Sequence, residues 1–202
     1  MIKIIKDVDL YEHLNEYDAV LIGTNAYQIM SNGIQLQLML NYPYVYKENL
    51  KTKYGDSRKI GTLCECKEKG QPTICLCFIA NGNNFRSDLQ ADYLSYEGLE
   101  KCLKLANILY KGKNVACYLL GSSKFDGNGD REKIMDIFKK NITDLKLTIY
   151  DYIQKSREEF VKETMTKEFE MKKKDRKKYY EMVKKRKDEA EERFRKNGHR
   201  RY

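Results

Sequence analysis

No stretch of about 18 consecutive apolar residues, the least that spans a bilayer as a helix, occurs in the chain. The opening Met1-Ile2-Lys3-Ile4-Ile5-Lys6 lacks the apolar core and cleavage site of a secretory leader, so the expected location is the cytoplasm, with no membrane partner. Histidine is scarce. His13 stands alone and His199 lies near the end, neither at ligand spacing from a partner, which leaves no basis for a histidine-built metal centre or catalytic triad. No internal repeat is visible, which sets aside solenoids and propellers. A core built from up to 202 residues needs no disulfide staples, so the six cysteines are expected as reduced thiols.

What is present divides unevenly. Of the net charge of +9, two units fall in residues 1–150 and seven in 151–202. A nearly balanced front suits a small-ligand or protein-binding module, and a basic appendage suits an acidic surface or nucleic acid. From about 153 to 196 there is neither Gly nor Pro, and Lys, Arg and Glu dominate, which predicts a helix of about 40 residues, or about 60 Å. Its apolar stripe (Val161, Met165, Phe169, Met182, Val183, Phe194) is too sparse for sustained heptads. Three uses stay open for it: a solvated helix partly docked on the core, nucleic-acid contact through Lys172-Lys173-Lys174-Asp175-Arg176-Lys177-Lys178, or pairing with another chain.

Along the front, strands and helices alternate. Ile2, Ile4 and Ile5 suggest a first strand, and Ala19-Val20-Leu21-Ile22 a second, buried on both faces. A polar loop from Gly23 to Gly33 feeds a helix over 34–41 that stops near Pro43, and a second helix spans about 44–54, with Gly55 offering a left-handed cap. Strands at 61–67 and 73–80 flank a turn-forming stretch. Ser95 caps a helix over 95–110 with Leu99, Cys102, Leu103, Leu105, Ala106 and Leu109 on or near one face. A strand over Val115 to Leu120, a loop from Gly121 to Gly129, a helix over 130–140 and a strand over 145–150 complete the series. This alternation predicts a three-layer α/β/α module over 1–151 with a mixed, mainly parallel sheet, followed by a long charged helix in 152–202. Ligands of such sheets sit beyond the carboxyl ends of the strands, where the loops at 23–33, 80–94 and 121–129 converge.

Those loops carry the functional signal. Asp18-Ala19-Val20-Leu21-Ile22-Gly23-Thr24-Asn25 resembles the strand-to-loop motif of macrodomains. Met30-Ser31-Asn32-Gly33-Ile34 is similar to the Met-Gly-x-Gly-Ile loop of the branch that includes terminal ADP-ribose protein glycohydrolase and the yeast-type ADP-ribose 1-phosphate phosphatase. Asn41-Tyr42-Pro43, Lys53-Tyr54-Gly55, Gly61-Thr62, Ser95-Tyr96-Glu97-Gly98-Leu99 and Leu147-Thr148-Ile149-Tyr150 follow in the same order, covering about 1–151 and none of the tail.

The resemblance implies a cleft for ADP-ribose, free or on a macromolecule, with no cofactor. In that branch the cleft also hydrolyses an ADP-ribosyl bond or removes a 1-phosphate. A diphosphate held without metal needs backbone N–H donors at a helix N-terminus and a Gly where the chain comes close, which Ser31, Asn32, Gly33 and Ile34 supply. Gly121, Ser122 and Ser123 form the facing loop. The resemblance assigns Asp9 to the adenine amino group, Asn25 to the distal ribose, Phe125 to a ribose face and Asp126 to acid–base chemistry. It also expects a lysine near Asn81-Gly82-Asn83-Asn84, where this sequence has none, and Gly where Ser31 and Ser123 stand. Plainer roles remain open: Asn25 and Gly33 suit turns, Asp9 a surface or turn position, Phe125 packing on the sheet, and Asp126 the tight turn into the following helix. A degenerate module acting as a protein or nucleic-acid scaffold through its basic helix is the alternative function.

Cys64-x-Cys66 and Cys75-x-Cys77 suggest zinc only superficially. A hairpin centred between Gly70 and Gln71 sets 64 opposite 77 and 66 opposite 75 on one face, but four thiols from two paired strands form a flat rectangle, not a tetrahedron. Buried structural cysteine is the reading.

Overall fold

The computed structural model describes residues 1–30, 33–81, 93–123 and 127–151. Six strands form one sheet in the order β1-β6-β5-β2-β4-β3: β1 Ile2–Lys6, β2 Ala19–Asn25, β3 Leu63–Cys66, β4 Ile74–Ala80, β5 Asn114–Tyr118 and β6 Lys146–Asp151. Every pairing is parallel except β3 with β4, so the sheet is mixed and mainly parallel, as expected. The central strands β2 and β4 are buried at all seven positions each, which is why their sequences run apolar without alternation.

Helices cover both faces. On one lie α3 (Tyr96–Leu109) and α4 (Arg131–Asn141), packed on Leu21, Cys75, Cys77, Ile79, Val115 and Cys117. Both start at a side-chain cap: Ser95 Oγ accepts the Gly98 N–H at 3.0 Å and Asp130 Oδ1 that of Lys133 at 2.8 Å. On the other face lie a 3-10 helix (Leu10–Glu16), α1 (Gly33–Asn41) and α2 (Pro43–Lys51), over Val20, Ile22, Ile74, Leu76 and Ala116. Pro43 does not so much end α1 as begin α2, where its fixed φ and missing N–H cost nothing.

Three expectations need correction. The cysteine hairpin pairs Cys64 with Leu76 and Cys66 with Ile74, while Cys75 and Cys77 face Glu65 and Leu63. The turn is centred on Gly70 itself (φ 77°), closed by the Gln71 N–H on the Glu68 carbonyl, and that one-residue slip sends the two cysteine pairs to opposite faces. Among the described residues no group of side chains is arranged to hold a metal ion. Leu105 and Leu109 do not join the buried face of α3 and stand 44% and 49% exposed; Gly98 and Asn107 take inward places instead. Finally, α2 stops at Lys51 with Thr52 extended after it, and Gly55 (φ 66°) turns the chain three residues later, where its N–H reaches the Ala26 carbonyl at 3.0 Å. The helix expected over 153–196 lies outside the described residues. No described helix is long and apolar enough to cross a membrane.

Candidate functional site

Strands β2 and β5 are neighbours, yet the chain leaves them in opposite directions. From β2 it passes to α1 and α2 on one face; from β5 it passes to α4 on the other. Divergent connections leave a crevice outside the carboxyl ends of these two strands. The first loop of the crevice starts at a β-bulge, because the β2–β4 register shifts between Thr24 and Asn25. A bulge re-aims the residue that follows it.

Asn25 is only 8% exposed, and its side chain organises the turn after β2. Its Oδ1 accepts the N–H groups of Tyr27 (2.9 Å) and Ile29 (3.3 Å), and its Nδ2 donates to the Ile29 carbonyl at 2.9 Å. A primary amide carries two hydrogens, so one donor of Asn25 remains beyond this turn. Gln28 sits in the left-handed region (φ 59°) and sends its amide to the carbonyls of Asn49 (3.1 Å), Leu50 (3.3 Å) and Thr52, tying the loop to the end of α2. Gln35 donates to the Gly23 carbonyl at 2.6 Å and so pins α1 to β2. Gly33, at φ 53°, begins α1 in a conformation that favours glycine, and the N–H groups of this first turn have no acceptor within the helix. Ser31 and Asn32 lie outside the described residues.

The facing loop is closed on itself. Gly129 N–H donates to the Gly121 carbonyl at 2.8 Å, Asn128 N–H to that of Ser123 at 2.9 Å, and Ser122 N–H to that of Leu119 at 3.1 Å. Glycine at 121 is favoured by its φ of 80°, and a Cβ there would stand 2.6 Å from the Leu94 side chain, which would have to shift. At the flank of this loop the Arg131 guanidinium pairs with Asp151 and reaches Ser122 Oγ at 3.4 Å. Phe125 and Asp126 lie outside the described residues, as do Gly82, Asn83 and Asn84.

Asp9 follows β1 and caps the 3-10 helix, its Oδ1 accepting the Tyr11 N–H at 3.0 Å. The same oxygen accepts the hydroxyl of Tyr118, at the carboxyl end of β5. Burial, with the hydrogen bond to Asp9 and its negative charge, pushes the Tyr118 phenol well above its ordinary range. Tyr118, Gln28, Gln35 and Arg131 were not singled out by the sequence. Their roles depend on contacts between distant segments or on a backbone conformation that residue type does not signal.

No protein-family model matches this sequence, and a comparison with curated proteins finds no match. Solved structures do match. The macrodomain of Thermus aquaticus DarG aligns at 15% identity and a TM-score of 0.53, over 75% of this chain and 98% of its own. The macrodomain of Mycobacterium tuberculosis DarG aligns at 22% identity and 0.52, over 74% and 97%. Thermosipho africanus DarTG, solved in complex with ADP-ribose, aligns at 13% identity and 0.56, over 77% of this chain and 43% of its own. Identities in this range establish architecture, and the architecture of this chain is the macrodomain fold.

Proposed function

We propose that the crevice beyond β2 and β5 binds ADP-ribose or a close relative, free or attached to a macromolecule. The observation that carries this reading is the Gly33-led N-terminus of α1 set beside the bulged end of β2, at the point where the connections diverge. A neighbour of the same fold, Thermosipho africanus DarTG, was solved with ADP-ribose, which supports the choice of ligand. In this reading the N–H groups of Ser31, Asn32, Gly33 and Ile34 hold the diphosphate from one side and Gly121, Ser122 and Ser123 close on it from the other. Asn25 offers its remaining amide hydrogen to the distal ribose, Phe125 its ring to a ribose face, and Asp9 a carboxylate oxygen to the adenine amino group. Hydrolysis of an ADP-ribosyl bond or removal of a 1-phosphate, the activities that the family resemblance suggests, would fall to Asp126 as acid–base residue.

Calorimetric titration of ADP-ribose into the full chain tests the reading. Expected is 1:1 binding in the micromolar range, lost in Gly33→Glu, whose carboxylate would meet the diphosphate, and weakened about tenfold or more in Asn25→Ala, as the loss of a hydrogen bond and of the turn it organises would produce. A folded protein that gives no heat with ADP-ribose sinks the reading. The seven net positive charges of residues 151–202 favour a second use of the chain, as a scaffold for an acidic protein or nucleic acid. Such binding would weaken steeply with salt, whereas a preformed cleft responds less.

A further inference from the structure

We propose that Tyr118 sets the base preference of the cleft by locking Asp9, so that one carboxylate oxygen is presented to an exocyclic amino group; the inference rests on the ADP-ribose reading above. The two oxygens of Asp9 are not equivalent. Oδ1 takes both the Tyr11 N–H and the Tyr118 O–H, donors that come from its own 3-10 helix and from β5 across the sheet. Two donors fill the two lone-pair positions of that oxygen. Oδ2 takes no hydrogen bond from the described residues, and Asp9 is partly open to solvent.

Turning the carboxylate about its last torsion would break both bonds to Oδ1 together, so its plane is fixed. Burial and the neighbouring carboxylate keep the Tyr118 phenol protonated, and it therefore stays a donor toward Oδ1. An ionised carboxylate only accepts, and Oδ2 is the acceptor left to a ligand. It suits a base with an amino group at this point, such as a 6-aminopurine. A 6-oxopurine would set its carbonyl oxygen against a second acceptor, an unpaired and repulsive contact.

The lock makes a sharper demand on Asp9→Asn. The Tyr11 N–H requires an acceptor at Oδ1 and the Tyr118 hydroxyl donates to the same place, so the amide oxygen takes it and the NH2 group stands where Oδ2 stood. The variant then donates outward and matches a 6-oxopurine. Asn is also a good cap for the 3-10 helix, so the local fold is kept.

The test is the affinity ratio of the full chain for ADP-ribose over inosine diphosphate ribose, measured by calorimetry for the parent protein, Tyr118→Phe, Asp9→Asn and the double variant. The parent is expected to prefer ADP-ribose by about tenfold or more, the scale of one charge-assisted hydrogen bond. Tyr118→Phe should reduce that ratio several-fold, and Asp9→Asn should reverse it. In the double variant the reversal should shrink several-fold, because the Tyr11 N–H alone then holds the amide oxygen in place. An unchanged ratio in Tyr118→Phe, or an Asp9→Asn protein that still prefers ADP-ribose, overturns the lock while leaving ADP-ribose binding intact. A parent protein that binds neither nucleotide overturns the cleft itself, and the lock with it. Should Tyr118→Phe fail to fold, Asp9→Asn alone decides.

Discussion

The layer of α3 and α4 covers its face of the sheet with leucine, isoleucine, phenylalanine and cysteine, and both helices begin at a capping side chain. The layer made by the 3-10 helix, α1 and α2 is of a different kind. It brings Tyr11, Tyr17, Tyr42, Tyr44 and Tyr46 against its face, and Thr24 Oγ1 and both amide atoms of Asn49 are buried there with no hydrogen-bond partner among the described residues. The difference separates a layer that specifies the fold from one that carries the polar features of the proposed site. Apolar packing and caps are sufficient for a rigid backing. Hydroxyls and a bulge gather on the side that carries the first loop, while left-handed residues occur in both loops, Gln28 and Gly33 in the first and Gly121 and Asn128 in the second. Native proteins tend to keep their locally inconsistent features near functional sites.

The comparison breaks if the backing is not the stronger half. Phe138, in α4, is fully buried, and Phe138→Ala should cost about 3–5 kcal/mol by urea denaturation, with the fraction that remains folded keeping the ADP-ribose affinity proposed above. A cost below about 1 kcal/mol would mean that α4 is not part of the cooperative core. Removing the cap of α3 with Ser95→Ala should cost about 1 kcal/mol, again without effect in the crevice. The smallest effect is expected on the other face. Asn49→Leu replaces an amide that finds no partner by an apolar side chain of similar volume and leaves the Asn49 carbonyl, which accepts from Gln28 and Thr52, in place. Stability should stay within about 1 kcal/mol of the parent or rise. A loss of more than about 2 kcal/mol in thermal denaturation would show that the Asn49 amide is hydrogen-bonded in solution, and would erase this contrast between the layers.

The backing layer was legible in the sequence for the reason that makes it strong. Ser95 before a run of i, i+3 and i+4 apolar residues, and Asp130 before Ile134 and Phe138, are local signals that survive in the folded chain. Periodicity alone extends the apolar face to Leu105 and Leu109, but the width of the buried stripe is decided by the neighbouring elements, and both leucines stay exposed. The other layer was harder. The 3-10 helix has too few residues for a helical period to show, and the hairpin register turned on whether the turn centres on Gly70 or beside it, a difference of one position that composition does not encode. At the crevice, residue types start the first loop at Gly23, two residues before β2 ends at Asn25, which only the family resemblance marks; the glycines at 33 and 121 stand out by residue type. The bond between Asp9 and Tyr118 joins residues 109 positions apart and appears only when β5 and the 3-10 helix are brought together.

The pairing of β1 with β6 bears on how the molecule is made. Ile2 lies opposite Leu147 and Lys6 opposite Asp151, so an early strand finds its hydrogen-bonding neighbour only after almost all of the described sheet has been synthesised. Such a pairing raises contact order and comes late in folding. Until β6 leaves the ribosome, Ile2, Ile4 and Ile5 belong to an unpaired strand, a ready template for association with another nascent chain. Lys3 interrupts that apolar run and Lys6 ends it, and their charges discourage the wrong partner during the interval before the right one exists.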